Sequence, residues 1–381
     1  MAKKWEILIK KESENLIFTG LKIPREYLHI KEEERLFEKL NFSMNRVYPT
    51  LVVSTMSSGK STLINALVGT ELLPSMNRAC TARAVAIMDN DLKTQFEIHA
   101  ADKNGNYSHI DKATKKAVVE YNKANDASEM IIEGEIKGIK TSKKSLLLID
   151  TPGINNSMDL VHEAATKKVL DEYPEGLILY VINAQQIGTY DDSYFLSLVA
   201  KKLEENSHFN ILFVVNKMDL IDPQKEDPQE LICNCKNYIE SKGIKEPIII
   251  PVSASSSLLF KKALDGEGLS EIEEENFLRN YKHFKRDGYS LQDYICVTKR
   301  GNPTDEVIVD EIKYSRAQIY AALENTGLPF LEKQIDEMLV SSLKMTAPRI
   351  TIKRSNSKSG NQRNKVVAKR GKNKSNKRKR G

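Results

Sequence analysis

The sequence predicts a three-layer α/β fold, with a mostly parallel sheet between helices. From Leu51 onward, short runs of Val, Ile and Leu alternate with stretches of helical periodicity, the pattern of a parallel sheet wrapped by helices. Four short polar motifs each follow directly on one of these apolar runs. A chain of 381 residues, 40% of them hydrophobic, is long enough to bury a sizeable core.

The elements follow from this pattern. Strands are expected at Thr50–Ser54, Ala84–Met88, Gln95–Ala100, Met130–Ile136, Ser145–Ile149, Leu177–Asn183, Phe209–Asn216 and Ile248–Val252. Helices are expected at Lys60–Val68, near Ala113–Lys123, and at Asp159–Glu172, Asp191–Glu205 and Pro228–Lys242. Lys93–Asn106 reads as a hairpin arm turning at Asn104-Gly105. Apolar stripes at helical spacing flank the α/β region: Leu36, Phe37, Leu40 and Met44 before it, and Ile308, Ile312, Ile319 and Leu323 after it. Leu331, Ile335, Met338 and Leu339 repeat the spacing beyond the break at Gly327-Leu328-Pro329. The division expected is an N-terminal helical segment (1–48), a central α/β domain (49–300), C-terminal helices packing with the N-terminal one (301–345) and a basic tail (346–381). The alternative for the flanking helices is that they pack onto the central domain itself.

Composition narrows the setting. No apolar stretch reaches the roughly 18 residues a spanning helix needs, and the start, with Glu6 inside a brief apolar run, does not read as a secretory signal. Cys80, Cys233, Cys235 and Cys296 are too few and scattered for a disulfide framework, which fits a reducing, cytoplasmic setting. Residues 353–381 hold 13 Lys and Arg and no acid; subtracting them from the net +6 leaves −7 for residues 1–352. Nearly devoid of apolar residues, this tail is expected to be disordered and to meet a polyanion, either an anionic membrane or nucleic acid.

Ser54-Thr55-Met56-Ser57-Ser58-Gly59-Lys60-Ser61-Thr62 joins a predicted strand to a predicted helix, the context of a P-loop. There backbone N–H groups of Ser57 through Thr62 would cradle phosphates, Lys60 would reach the β- and γ-phosphates, and the Ser61 hydroxyl would ligate Mg²⁺. Ser54 replaces the usual first glycine. Asp150-Thr151-Pro152-Gly153 follows an apolar strand as D-x-x-G, with Asp150 oriented to the Mg²⁺ shell and Gly153 to the γ-phosphate. Asn216-Lys217-Met218-Asp219 follows the next but one; the Asp219 carboxylate can accept two hydrogen bonds from guanine and none from adenine, so the pattern selects GTP or GDP over ATP. Ser253-Ala254 would place a backbone N–H at the guanine O6. In this order, the four motifs imply a P-loop GTPase domain.

The runs Ser57 through Leu67, Ala79-Cys80-Thr81-Ala82, Asp150 through Asn156, and Asn183-Ala184-Gln185-Gln186 with Asp191-Asp192 resemble the GTPase head of bacterial dynamin-like proteins, over roughly Leu51 to Leu343. The resemblance implies a head without an obvious stalk. It also implies that Thr81 is the switch threonine closing on Mg²⁺ and the attacking water, that Ser57 helps place a charge-compensating cation, and that Lys60, Ser57 and Thr81 together serve hydrolysis. Met56 stands where such heads often carry Gln, and Ile154 where Ras-like enzymes do; neither side chain can orient water. An isolated copy should therefore be slow, and the resemblance implies a homodimer across the nucleotide face. If the flanking helices form an incomplete bundle, a helical partner protein would complete it. The main expectation is a GTP-hydrolysing switch or mechanochemical subunit, peripheral at a membrane. The alternatives are an Era-like regulatory GTPase whose tail binds nucleic acid, without the G-x-x-G of a KH domain, and a GTP-binding scaffold with little turnover.

Overall fold

A computed structural model describes residues 17–18, 21–22, 47–74, 85–102, 107–123, 127–139, 144–151, 175–205, 208–285, 290–291, 306–309 and 312–345. Ile17–Phe18 (β1) and Leu21–Lys22 (β2) pair as a short antiparallel hairpin. The central sheet then takes β3 (Val47–Ser54), β4 (Val85–Asp89), β5 (Glu97–Asp102), β6 (Tyr107–Ile110), β7 (Ala127–Gly134), β8 (Ser145–Asp150), β9 (Gly176–Asn183), β10 (Phe209–Asn216) and β11 (Ile249–Pro251). Their spatial order is β11-β10-β9-β3-β8-β4-β7-β5-β6.

From β11 to β8 every pairing is parallel. β4 then runs antiparallel to β8, with β7 parallel beside it, and β5 and β6 close the far edge in antiparallel pairs. The parallel part is buried on both sides, which is why its strands read as continuous Val/Ile/Leu runs rather than alternating ones. The period of two sorts β9 cleanly: Ile178, Tyr180 and Ile182 enter one apolar core, Leu177, Leu179 and Val181 the other.

Helices cover both faces. α1 (Lys60–Val68) sends Leu63, Ile64 and Leu67 into the second core, joined by Val118 of α2 (Lys115–Lys123). α3 (Tyr190–Glu205) and α4 (Pro228–Glu240) fill the first core with Phe195, Leu196, Leu231 and Ile239. Asp227 caps α4 by accepting from the Gln229 N–H at 2.9 Å, with Pro228 in the first turn.

Two helices that the sequence reading did not anticipate follow β11: α5 (Ala254–Asp265) and α6 (Glu271–Phe284). Their contact is aromatic, with Phe260 edge-on to Phe277 at 5.5 Å between ring centroids. The stripe expected as one helix through Ile308, Ile312, Ile319 and Leu323 is corrected. Ile308 lies on β12 (Glu306–Val309) and Ile312 on β13 (Ile312–Ser315), an antiparallel hairpin, and the helix α7 spans only Arg316–Asn325. The β-branched run Val307-Ile308-Val309, with Ile312 and Tyr314 opposite, favours the ladder, and Ser315 with Gln318 forms a capping box that starts the helix there. α8 (Leu328–Met345) buries Leu328, Leu331, Ile335 and Leu339 in the core that α1 also fills. The C-terminal helices thus pack onto the central domain.

The other sequence-based strand and helix boundaries within the described residues agree to within three residues. The stripe at Leu36–Met44, the helix Asp159–Glu172, the turn Asn104-Gly105 and the basic tail lie outside the described residues. Among the described residues, no helix is long and apolar enough to cross a membrane.

Candidate functional site

The C-terminal ends of β3, β8 and β10 bring three of the predicted motifs together, and the loop after β11 supplies the fourth. The loop from β3 to α1 folds on itself: the Ser58 hydroxyl donates to the Thr55 carbonyl at 2.7 Å. Ser57 at φ 61° and Gly59 at φ 87° turn the backbone into the first turn of α1, with Gly59 as its N-cap. A Cβ on Gly59 would collide with the Asn216 amide, so both the dihedral and the crowding require glycine. The helix N-terminus therefore opens its free N–H groups toward the loop.

Lys60 is buried, and its ammonium forms an ion pair with Asp150 Oδ1. Among the described residues, the other oxygen, Asp150 Oδ2, is buried without a hydrogen-bond partner. A buried carboxylate oxygen left in that state is costly unless a cation or water meets it. Thr151 fixes the strand end by donating from Oγ1 to the Val52 carbonyl at 2.8 Å. Ser61 and Thr62 begin α1, half-buried, while Thr81 and Gly153 lie outside the described residues.

Asn216 connects the predicted phosphate loop to the predicted base loop. Its Nδ2 donates to the Ser58 carbonyl at 3.0 Å, and its Oδ1 accepts from the Ala254 N–H at 3.1 Å. Lys217 follows in the left-handed region at φ 67°, and the stem of its side chain lies over Gly59. That conformation directs the next residues into a short turn, Met218–Leu220, that carries Asp219. Ser253 Oγ donates to Asp219 Oδ1 at 2.7 Å, holding the carboxylate that the sequence assigned to guanine. Ser253 also caps α5 through the Ser256 N–H.

Two supports escaped the sequence reading. The joint between α7 and α8 reaches the base loop: the Ser253 N–H donates to the Thr326 carbonyl at 3.0 Å, and Ser257 Oγ donates to Thr326 Oγ1 at 2.7 Å. Gly327, at φ 76°, comes so close to the Pro251 carbonyl that a Cβ has no room. Behind α1, the buried Asn65 accepts from the N–H groups of Leu72 and Leu73 and donates to the Leu73 carbonyl, which fixes the chain leaving α1.

Residues 51–218 match the model of the dynamin family. Over those residues the chain is similar to the dynamin family. It is similar to the dynamin-like GTPase MGM1, mitochondrial, of Saccharomyces cerevisiae, with 25% identity over 311 residues, 75% of this chain and 34% of that protein. A bacterial dynamin-like protein of Nostoc punctiforme is 27% identical over 197 residues, 49% of this chain and 27% of its own length. A solved chain from an oligomerised bacterial dynamin pair aligns over 89% of this chain and 48% of its own, with 18% identity and a TM-score of 0.43. The chain thus spans about a quarter to a third of the length of these two curated relatives. The family match does not favour the Era-like reading.

Proposed function

We propose that this chain binds GTP with Mg²⁺, hydrolyses it, and associates with a second copy across the nucleotide face in a nucleotide-dependent way, at a membrane surface. The observation that carries the reading is Asn216, which joins the phosphate loop to the base loop while Ser253 holds the Asp219 carboxylate ready for a base. A carboxylate so fixed accepts from guanine N1–H and its exocyclic amine, and an adenine leaves it unpaired. Ala254 would present its face of the loop to the guanine O6.

The phosphate end follows the same logic. Lys60 is held on Asp150, and an incoming triphosphate competes for that ammonium. The orphaned Asp150 Oδ2 fits a cation shell, with Ser61 at the start of α1 as the neighbouring hydroxyl. Mg²⁺ held there would neutralise charge on the β- and γ-phosphate oxygens. Ser57 and Thr81 are assigned to the charge-compensating cation and to the attacking water. Met56 and Ile154 leave the chain without a glutamine of its own at those positions, so a second copy supplies what turnover needs. The basic residues 353–381 would hold the domain loosely at anionic lipid.

Competition binding with GTP, ATP and XTP tests the central claim. Asp219→Asn should weaken GTP and favour XTP, because the amide places a donor where guanine needs an acceptor. Equal affinity for GTP and ATP in the unsubstituted protein would refute it. Lys60→Ala should abolish tight binding, whereas Thr81→Ala should spare binding and remove single-turnover hydrolysis. Specific activity that stays flat on serial dilution would refute the dimer, and unchanged liposome co-sedimentation after truncation at Ile352 would refute the role of the tail.

A further inference from the structure

At the far edge of the sheet, β5, β6 and β7 place four chemistry-bearing side chains together. The ladder pairs His99 with His109 across β5 and β6, and Glu97 with Glu133 across β5 and β7. Glu97 and His99 are two apart on one strand, so all four share a face of the sheet. The imidazoles stack at 4.8 Å with an interplanar angle of 9°. The sequence offers no local motif for this, since the partners are brought together by the ladder alone.

We propose that Glu97, His99 and His109, with Glu133 as a fourth ligand, form a zinc site that pins the β5–β6 hairpin to β7. One ligand atom from each of Glu97, His99 and His109 lies within 4.8 Å of the others. His109 Nε2 is 3.2 Å from Glu97 Oε2, and His99 Nε2 is 3.1 Å from Glu133 Oε2 and 3.9 Å from Glu97 Oε2. Ligands about 2.0–2.1 Å from a tetrahedral zinc stand about 3.3 Å apart, so these separations need only small side-chain adjustments. Two imidazoles favour zinc over Mg²⁺ or Ca²⁺, which take oxygen ligands.

Two further observations point the same way. Asp111 Oδ1 lies 3.4 Å from His109 Nδ1, the ring nitrogen opposite the one facing Glu97, and carboxylates commonly orient a ligating histidine in this manner. The charge balance also calls for a divalent ion. Glu133 is 1% exposed, Glu97 lies beside it, and Lys93 brings its single positive charge to both, at 3.5 and 2.6 Å. Zinc would match both carboxylates, and Lys93, on a flexible stem, would swing outward to solvent. Lys93 is thus the competitor of the metal. In the strand order, β8 and β4 separate this site from β3, which leads into the phosphate loop, so the zinc acts on the hairpin and not on the nucleotide.

The test is calorimetric titration of Zn²⁺ into the chelator-stripped full chain, with Mg²⁺ and GDP present to occupy the nucleotide site. One equivalent should bind, the variant His99→Gln/His109→Gln should lose it, and Asp111→Asn should weaken it about 10-fold. Lys93→Met should bind zinc more tightly than the unsubstituted chain, an outcome that misfolding cannot produce. Cys233→Ser/Cys235→Ser should bind as the unsubstituted chain does. Absence of zinc binding, binding unaffected by the histidine substitutions, or affinity unchanged or lowered in Lys93→Met would overturn the proposal and leave a hydrogen-bonded network centred on Lys93. Loss of zinc with the cysteine variant alone would overturn it as well.

Discussion

Replacing Asn216 with alanine should loosen both halves of the nucleotide site before any nucleotide arrives. The side chain is 2% exposed and bridges the Ser58 carbonyl to the Ala254 N–H, which belong to buried residues. Alanine orphans both groups, and each buried group left unpaired costs about 1–3 kcal/mol. With partial relaxation, the loss of stability should be about 2–4 kcal/mol, a large share of the 5–15 kcal/mol typical of a domain. Urea unfolding of the nucleotide-free protein reads this as a lower midpoint at unchanged slope. GDP affinity should fall by about 30-fold or more, since about 1.4 kcal/mol is tenfold. Gly59→Ala supplies the cross-check, because its Cβ would collide with the Asn216 amide. In the Asn216→Ala background that collision is gone, so the second substitution should cost only the strain of a left-handed alanine, about 1 kcal/mol, and the pair should be clearly less than additive. An unchanged urea midpoint for Asn216→Ala, or strict additivity in the double variant, would show that this bridge does not exist in the free protein.

Asn65→Ala removes three hydrogen bonds from a fully buried side chain and should cost about 2–4 kcal/mol in the same urea assay. Glu273 offers a pH test: burial alone would raise its carboxyl, but hydrogen bonds from Lys262 and Ser270 outweigh that and hold it below its usual value. Its contribution is therefore present above the unfolded-state value and lost as the pH falls through the folded one, so Glu273→Gln should cost about 0.5–1 kcal/mol at neutral pH, and the gap should close as the pH falls through that lowered folded-state value. Cys235 is buried, and burial, with the nearby Asp192 carboxylate, pushes its thiol up to about 12; Cys233 is exposed. Iodoacetamide followed by peptide mass mapping should label Cys233 in the folded protein and leave Cys235 unmodified until urea is added.

The nucleotide motifs were legible because each is a contiguous run that must sit at the end of a strand, so the chemistry and the local fold leave the same mark in the sequence. Asn216 and Asp219 stand in one such run, and the structure adds the protein groups that bond to them. The flanking elements were less legible for a definable reason. Ile308 and Ile312 are four residues apart, which fits one helical turn as well as two strands with a tight connection, and only the capping box at Ser315 and Gln318 separates the two. His99 and His109 are ten residues apart and become neighbours only through the register of the hairpin.

Thr326 and Gly327 carried a visible signal, a glycine before Leu-Pro, that reads as a helix break and says nothing of what the break touches. What it touches is the base loop. Thr326 holds Ser253 and Ser257, and Gly327 abuts the Pro251 carbonyl just before Ser253. Ser253 in turn holds Asp219, so any movement of the α7–α8 joint must either carry the base loop with it or break these bonds. The path from the helix joint to the Asp219 carboxylate thus runs through one serine that donates from its backbone to the joint and from its hydroxyl to Asp219. A Cβ at residue 327 would push on this path from outside the nucleotide site, and a serine without its hydroxyl would cut it at the centre.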